Sequence, residues 1–329
     1  MPANRRPMVL SPDSFKGTFR ASEVAAALER GLEATGWLCD RCPVADGGEG
    51  TLEVLLTALG GETAAADVHD PLGRPVRAGF ALVEDGGTAI VETAAASGLG
   101  LVAEGERDPL AASTTGTGEL IAAAVDAGAQ VVLVGVGGSA TTDGGAGAVA
   151  AIERAGGLRG ARLVVLCDVR TPWERAAEVF GPQKGADPDT VGKLARRLRD
   201  RAGRLRKDPR GVPMSGAAGG LAGGLWAAFD AKLVSGASFV LDTLGFDARA
   251  QASRAVVTGE GRLDRQSLAG KAMGEVAVRC RQRGVPCHAI VGSDALPPFE
   301  HRLLDLATFD EATSLEEIEA AARALGGRM

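Results

Sequence analysis

The sequence predicts an α/β protein built as two domains, and three observations carry that expectation. Short apolar runs end in loops that pair glycine with a carboxylate. Amphipathic helices follow those loops. The alternation is interrupted once, by β-type runs joined through tight turns. Strand, glycine loop and helix in repetition is the pattern of a parallel sheet with helices packed on it.

The first 61 residues show that unit twice. Met8 to Ser11 is apolar and ends in Pro12-Asp13-Ser14-Phe15-Lys16-Gly17. Ser22 is placed to cap a helix with Val24, Leu28 and Leu32 on one face, stopped at Gly36. Cys42 to Ala45 reads as the next strand and Asp46-Gly47-Gly48-Glu49-Gly50-Thr51 as its loop. Leu52, Leu55, Leu56 and Leu59 mark the helix after it. Between Asp67 and Glu92 the runs Val76 to Val83 and Thr88 to Val91 flank Asp85-Gly86-Gly87, an antiparallel hairpin signal. A second domain with a mixed sheet therefore begins here. The break is expected near residue 62 with a return near 250. That assigns 1–62 plus 250–329 to the parallel-sheet domain and 63–249 to the mixed-sheet domain.

The stretch Val131 to Gly147, VVLVGVGGSATTDGGAG, is the centre of the chain. Val131 to Val134 has the character of a strand buried on both faces. Backbone amides of Gly137, Gly138 and Ser139 can form a nest for anionic oxygens. Asp143 cannot bind a phosphate directly, so its expected work is to hold Mg²⁺ or to take a proton from a hydroxyl. Lys16, just past a strand tip, is a flexible ammonium suited to phosphate. Gly135, Gly137 and Ala140 also match a dinucleotide fingerprint, but Thr141-Thr142-Asp143-Gly144-Gly145 intervenes where that fingerprint needs a helix.

Further strands end at Cys167-Asp168, at Gly259-Glu260-Gly261-Arg262-Leu263-Asp264 and at Gly292-Ser293-Asp294. The hydroxyls of Ser113-Thr114-Thr115-Gly116-Thr117-Gly118 are placed to cap the helix Glu119 to Ala127 or to face a ligand, and capping is the expectation. Lys193 to Arg210 carries nine Lys or Arg against Asp200 and Asp208, a net of +7. A solvated basic face is the ordinary meaning of such a helix, and a polyanion site is the other. Gly216 to Gly224 is either a ligand-hugging loop or a tight packing face. Ser314 and Glu317 form a capping box.

Composition narrows the function. A net charge of −6 argues against a nucleic-acid partner. No apolar run reaches membrane-spanning length, and the N-terminus lacks a signal-peptide core, so a cytoplasmic protein is expected. Cys39 and Cys42 follow a helix and lead into a strand, the wrong order for a redox pair. No activated Ser or Cys has a His partner. Phosphoryl transfer needs no enzyme nucleophile, only cations on phosphates, acids on a metal and a carboxylate at the acceptor hydroxyl. The acidic tips, expected along one sheet edge, suit it.

In order, the segments SPDSFKGT, PVADGGEGT, ETAAASGL, GTGEL, GVGGSATTDGG, VFGPQKGA, GAAGGLAGGL and TGEGRLDRQSLAGKA resemble the type-1 glycerate kinase family from residue 8 to about 292. The resemblance implies a Rossmann-like domain with a parallel sheet flanked by helices, a second α/β domain with a mixed sheet, and an active site in the cleft between them. It implies ATP-dependent phosphorylation of D-glycerate, most often at the 2-hydroxyl, with Mg²⁺, in a monomer or homodimer. Lys16, Asp46, Asp143 and Arg262 are then the catalytic candidates. Asp13, Ser14, Glu49, Gly137, Gly138, Ser139, Lys184 and Glu260 are candidates for binding substrate or nucleotide. Asp46, Asp143, Asp168 and Asp264 are the metal candidates. Three departures bear on substrate range: the short connection Gly156 to Arg162, Arg170-Thr171-Pro172 in place of Asp-Asn-Pro, and Thr142 in place of Asn. A kinase for a related 2-hydroxy acid, a non-catalytic sugar-acid or nucleotide-binding regulator and a nicotinamide dehydrogenase are the competing readings.

Overall fold

The computed structural model describes residues 6–15 and 17–329. Its strands, in chain order, are β1 (Met8–Pro12), β2 (Cys39–Arg41), β3 (Glu62–His69), β4 (Pro75–Val83), β5 (Thr88–Glu92), β6 (Val131–Gly135), β7 (Arg162–Cys167), β8 (Lys232–Ser235), β9 (Ala255–Gly259), β10 (Cys287–Val291) and β11 (Thr308–Glu311). They form two sheets in two compact units. One unit takes the residues up to Asp46 together with Ala237–Met329, and the other takes Gly47–Gly236. The expected breaks near 62 and 250 lie further along the chain than these. The helix Thr51–Leu59 packs on β4 and β5, which keeps it with the mixed sheet.

The first unit holds a five-stranded sheet in the order β11-β10-β9-β1-β2, parallel throughout. The inner strand β1 shows why its sequence is apolar without alternation. Met8 and Leu10 pack with Val24, Leu28, Leu32 and Ile318, while Val9 packs with Met273, Val276 and Ala277 on the other face. Helices cover both sides, so every position is buried. Ser22 lies inside the first turn of the helix Ala21–Glu33 rather than at its cap. There Glu23 accepts from the Arg20 amide at 2.8 Å. The strand expected at Cys42 to Ala45 starts earlier, as β2. Cys42 and Val44 still donate to Leu10 and Pro12 of β1, but Pro43 between them has no N–H to continue a ladder.

The second unit holds a six-stranded sheet in the order β3-β4-β5-β6-β7-β8. β3, β4 and β5 are antiparallel and β5 through β8 parallel. The hairpin expected at Asp85-Gly86-Gly87 joins β4 to β5. The glycines of 216–224 are packing positions: a Cβ on Gly219 would meet the Thr141 carbonyl oxygen at 2.1 Å, and one on Gly224 the Gly144 carbonyl oxygen at 2.4 Å. Among the described residues no helix is long and apolar enough to cross a membrane.

Candidate active site

The acidic strand tips do not share one edge. Asp13, Glu260 and Asp294 follow β1, β9 and β10 of the parallel sheet, whereas Asp143 and Asp168 follow β6 and β7 of the mixed sheet. Each group belongs to its own sheet.

In the parallel-sheet unit, Pro12 pairs with Gly259, so Asp13 and Glu260 emerge side by side from adjacent strands. They line a cavity of about 370 Å³ with Ser14, Phe15, Thr18, Arg262, Asp264, Lys271, Gly292 and Thr313. Asp13 is buried and accepts from the Ser14 amide at 2.7 Å. Glu260 is 5% exposed, and its Oε1 has no hydrogen-bond partner among the described residues. Burial pushes the Glu260 carboxyl up to about 7. The Ser267 hydroxyl and the Lys271 ammonium oppose that rise, while the Asp264 and Asp46 carboxylates add to it. Such a group holds or releases a proton near neutrality. Asp264 is fixed by its own turn, accepting from the Gln266 amide at 2.8 Å. Arg262 is exposed, with Nε 3.8 Å from Asp264. Asp46 is buried in the same unit. Lys16 lies outside the described residues.

In the mixed-sheet unit the charged candidates Asp143 and Lys184 are both held by hydrogen bonds. Asp143 Oδ1 accepts from the Gly145 amide at 2.9 Å, and Oδ2 accepts from the Gly147 amide, the Thr114 amide and the Thr114 hydroxyl at 2.9–3.0 Å. Gly145 and Gly147 begin the helix Ala146–Arg154, so the carboxylate caps it at its positive end. The Thr114 hydroxyl accepts from the Ala148 amide at 3.0 Å, which ties it to this helix instead of the one it precedes. Four donors thus fix the position of the Asp143 carboxylate.

Lys184 is likewise enclosed. Its Nζ donates to the Thr141 carbonyl at 2.5 Å and reaches the Ser139 hydroxyl at 3.4 Å. Burial pulls the ammonium down to about 8 against the Asp143 and Asp168 carboxylates, which hold it up. Gly137 donates to the Gly47 carbonyl at 3.3 Å, so its amide is not turned toward a ligand. A Cβ there would sit 2.4 Å from Gly48 Cα and 3.4 Å from Asp168 Oδ2. Gly138 is exposed and Ser139 buried, as is Gly137, while Glu49 is exposed. Of the four candidate metal ligands, Asp46 and Asp264 belong to the parallel-sheet unit and Asp143 and Asp168 to the mixed-sheet unit, and among the described residues no group of three or more His, Cys, Asp or Glu could hold a metal ion.

Two residues of these units were not among the candidate site residues. Lys271 lines the Glu260 cavity and is the cap residue of the helix Ala272–Arg283. Glu92 ends β5 and accepts from the Leu52 amide at 2.8 Å, at the start of the helix Thr51–Leu59. Burial raises its carboxyl, with helix amides pulling the other way. An acid at a strand tip was the signal used elsewhere, and Glu92 met it. Cys39 is not built for redox work, since burial and Glu33 push its thiol up to about 12.

A model of the glycerate kinase family matches residues 8–156 and 153–322. The match divides where the helix Ala146–Arg154 turns toward β7, at the short connection noted in the sequence. A glycerate kinase of Bacillus subtilis is 41% identical over 323 residues, covering 87% of this chain and 85% of its own. A glycerate 2-kinase of Escherichia coli is 37% identical, covering 96% and 93%. A crystal structure assigned to glycerate kinase 2 of Salmonella typhimurium LT2 superposes with a TM-score of 0.82 at 33% identity, covering 99% of this chain and 98% of that one. The chain belongs to the glycerate kinase family.

Proposed function

We propose that this protein transfers the γ-phosphoryl group of ATP to D-glycerate, at the 2-hydroxyl. The observation that carries this reading is the family match along nearly the whole chain, including the glycerate 2-kinase relative. The Glu260 cavity supports it chemically. In the transfer, the glycerate oxygen bonds to the γ-phosphorus, the bond to the bridging oxygen breaks, and the hydroxyl proton leaves. Glu260 is the group best suited to accept that proton. Its free Oε1 is buried and its carboxyl ionises near neutral pH. Lys271 and Arg262 supply positive charge for the substrate carboxylate or the phosphates.

Mg²⁺ is the metal this chemistry expects. Such an ion is commonly held by one or two carboxylates plus substrate phosphates, which the donors here fit without a three-residue cluster. Asp46 and Asp264, whose charges both act on Glu260, would hold it. When bound there it would neutralise charge on the β- and γ-phosphates. Asp143 and Lys184, in this reading, shape the 139–147 loop and do not carry the proton.

A coupled ADP-release assay over D-glycerate, L-glycerate and other small 2-hydroxy acids tests the proposal, with the product's phosphate position read by NMR. ADP release that depends on D-glycerate and yields the 2-phosphate is expected. Release indifferent to glycerate, or strongest with another acid, would contradict it.

A further inference from the structure

The helix Pro188–Ala202 and the turn after it present two faces. Leu194, Leu198 and Ala202 are buried beneath, next to Trp173. Beside them, Lys193, Arg196, Arg197, Arg201 and Arg204 recur at helical spacing and line a cavity of about 650 Å³. Asp143 and Ala146 line it as well. That volume is in the range of small-molecule sites.

None of the five cations pairs with a carboxylate among the described residues, although Asp200 sits on the same face and Asp143 below it. The cations just beyond behave differently: Arg206 and Lys207 both pair with Asp230, and Arg210 with Asp208. Like charges three and four residues apart on a helix repel one another. A face kept basic only for solubility is normally interspersed with acids. Two of the guanidinium groups are also held in place. Arg197 donates to the Leu110 carbonyl at 2.7 Å and Arg201 to the Gly144 carbonyl at 2.9 Å. Each keeps further N–H groups for a ligand. Arg201 is half-buried, and desolvation pulls its guanidinium down from the ordinary value.

We propose that this cavity is a binding site for a small anion with several phosphate groups, gripped by Lys193, Arg196, Arg197, Arg201 and Arg204. Planar guanidinium groups take phosphate oxygens in pairs, and several fixed near one another favour a polyphosphate over a single phosphate. Among the described residues no aromatic side chain lines the cavity, so recognition falls on the phosphates. Through Arg201 the site is wired to the Gly144 carbonyl, one residue from Asp143. The inference rests on these unpaired cations and not on the glycerate kinase reading.

Calorimetric titration of the full chain with tripolyphosphate, at low salt and without Mg²⁺, tests it. One tripolyphosphate should bind at least about tenfold more tightly than inorganic phosphate, and weaken as salt is raised. The double variant Arg196→Ala with Arg204→Ala should lose at least about tenfold in affinity. The control Arg206→Ala with Lys207→Ala removes the same charge outside the cavity and should bind as wild type. If the first pair fails to fold, Lys193→Gln with Arg204→Gln replaces it. Competition with ATP separates the sources: displacement assigns the site to a nucleotide's phosphate tail, and joint binding to a separate phosphorylated effector. No tripolyphosphate binding in the wild type, or equal loss in both charge-matched pairs, would overturn the proposal. ADP release with glycerate is measured in parallel, so a failure here is distinguishable from a failure of the kinase reading.

Discussion

The Glu260 cavity and the Asp143 loop use the same vocabulary, a carboxylate among glycines at the carboxyl end of a parallel strand, and put it to opposite ends. Glu260 is buried with an oxygen that finds no donor among the described residues, and its carboxyl is raised to about 7. Asp143 is as deeply buried, yet four donors converge on it. A buried polar group that is left unsatisfied costs stability, so its persistence needs a reason outside the fold. A satisfied one explains itself. The mixed-sheet loop is not perfect by this measure, because the Thr142 hydroxyl lacks a partner among the described residues. Even so, the contrast is the basis of the proposed division between a proton acceptor at Glu260 and a structural carboxylate at Asp143.

The largest effect that would sharpen the contrast is on turnover. Glu260→Gln removes the proton acceptor and keeps the shape, and kcat should fall by about 10²–10⁴-fold. Its melting temperature above neutral pH should equal or exceed that of wild type, since a buried charge has gone. Steady-state kinetics and thermal melts on one preparation check both.

The pH dependence follows from the same group. Its folded pKa lies above the ordinary value of 4.5, so the folded state binds more protons than the unfolded state between that value and about 7. Stability contributed by the protonated group is therefore full below the ordinary value and is lost as pH rises toward 7. Activity should move the other way, rising with pH through about 7 as the base ionises. Glu260→Gln should flatten both slopes, which melts and kcat/KM profiles from pH 5 to 9 would show.

Asp143→Asn should act in the reverse order. An amide placed where three backbone N–H groups and a hydroxyl converge turns a donor toward donors. The loss should be about 1–3 kcal/mol of stability, read by denaturant titration. Any fall in turnover should follow the loosened loop and be smaller than that of Glu260→Gln. The smallest effect tests the reasoning on a site far from chemistry. Ser314 accepts from the Glu317 amide at 3.2 Å, and Ser314→Ala should cost about 1 kcal/mol with kcat unchanged.

Much of this was legible in the sequence. Strands covered on both faces announce themselves as unbroken apolar runs, so β1, β6, β7, β9 and β10 were visible. The edge strands β3 and β11 were not, because they are mostly exposed and carry polar residues that look like loop. The site was half legible. Motifs located the acidic tips, but spacing along the chain could not divide them between two sheets. Nor could it count the donors on each carboxylate, which depends on Thr114 and Ser267 from elsewhere in the chain. For that reason Asp143 stood out in the sequence above Glu260, and the difference in how their oxygens are satisfied is visible only in the structure. The basic helix shows the same limit: its charge was plain, but the cavity beside it and the absence of partners were not.

The account turns on the division of labour between these two carboxylates. Measuring kcat and the unfolding free energy together for Glu260→Gln and Asp143→Asn tests it most directly. The account predicts that the first loses turnover with its stability intact, and that the second loses stability with the smaller loss of turnover. A Glu260→Gln enzyme with wild-type turnover, beside a stable and inactive Asp143→Asn enzyme, would contradict it.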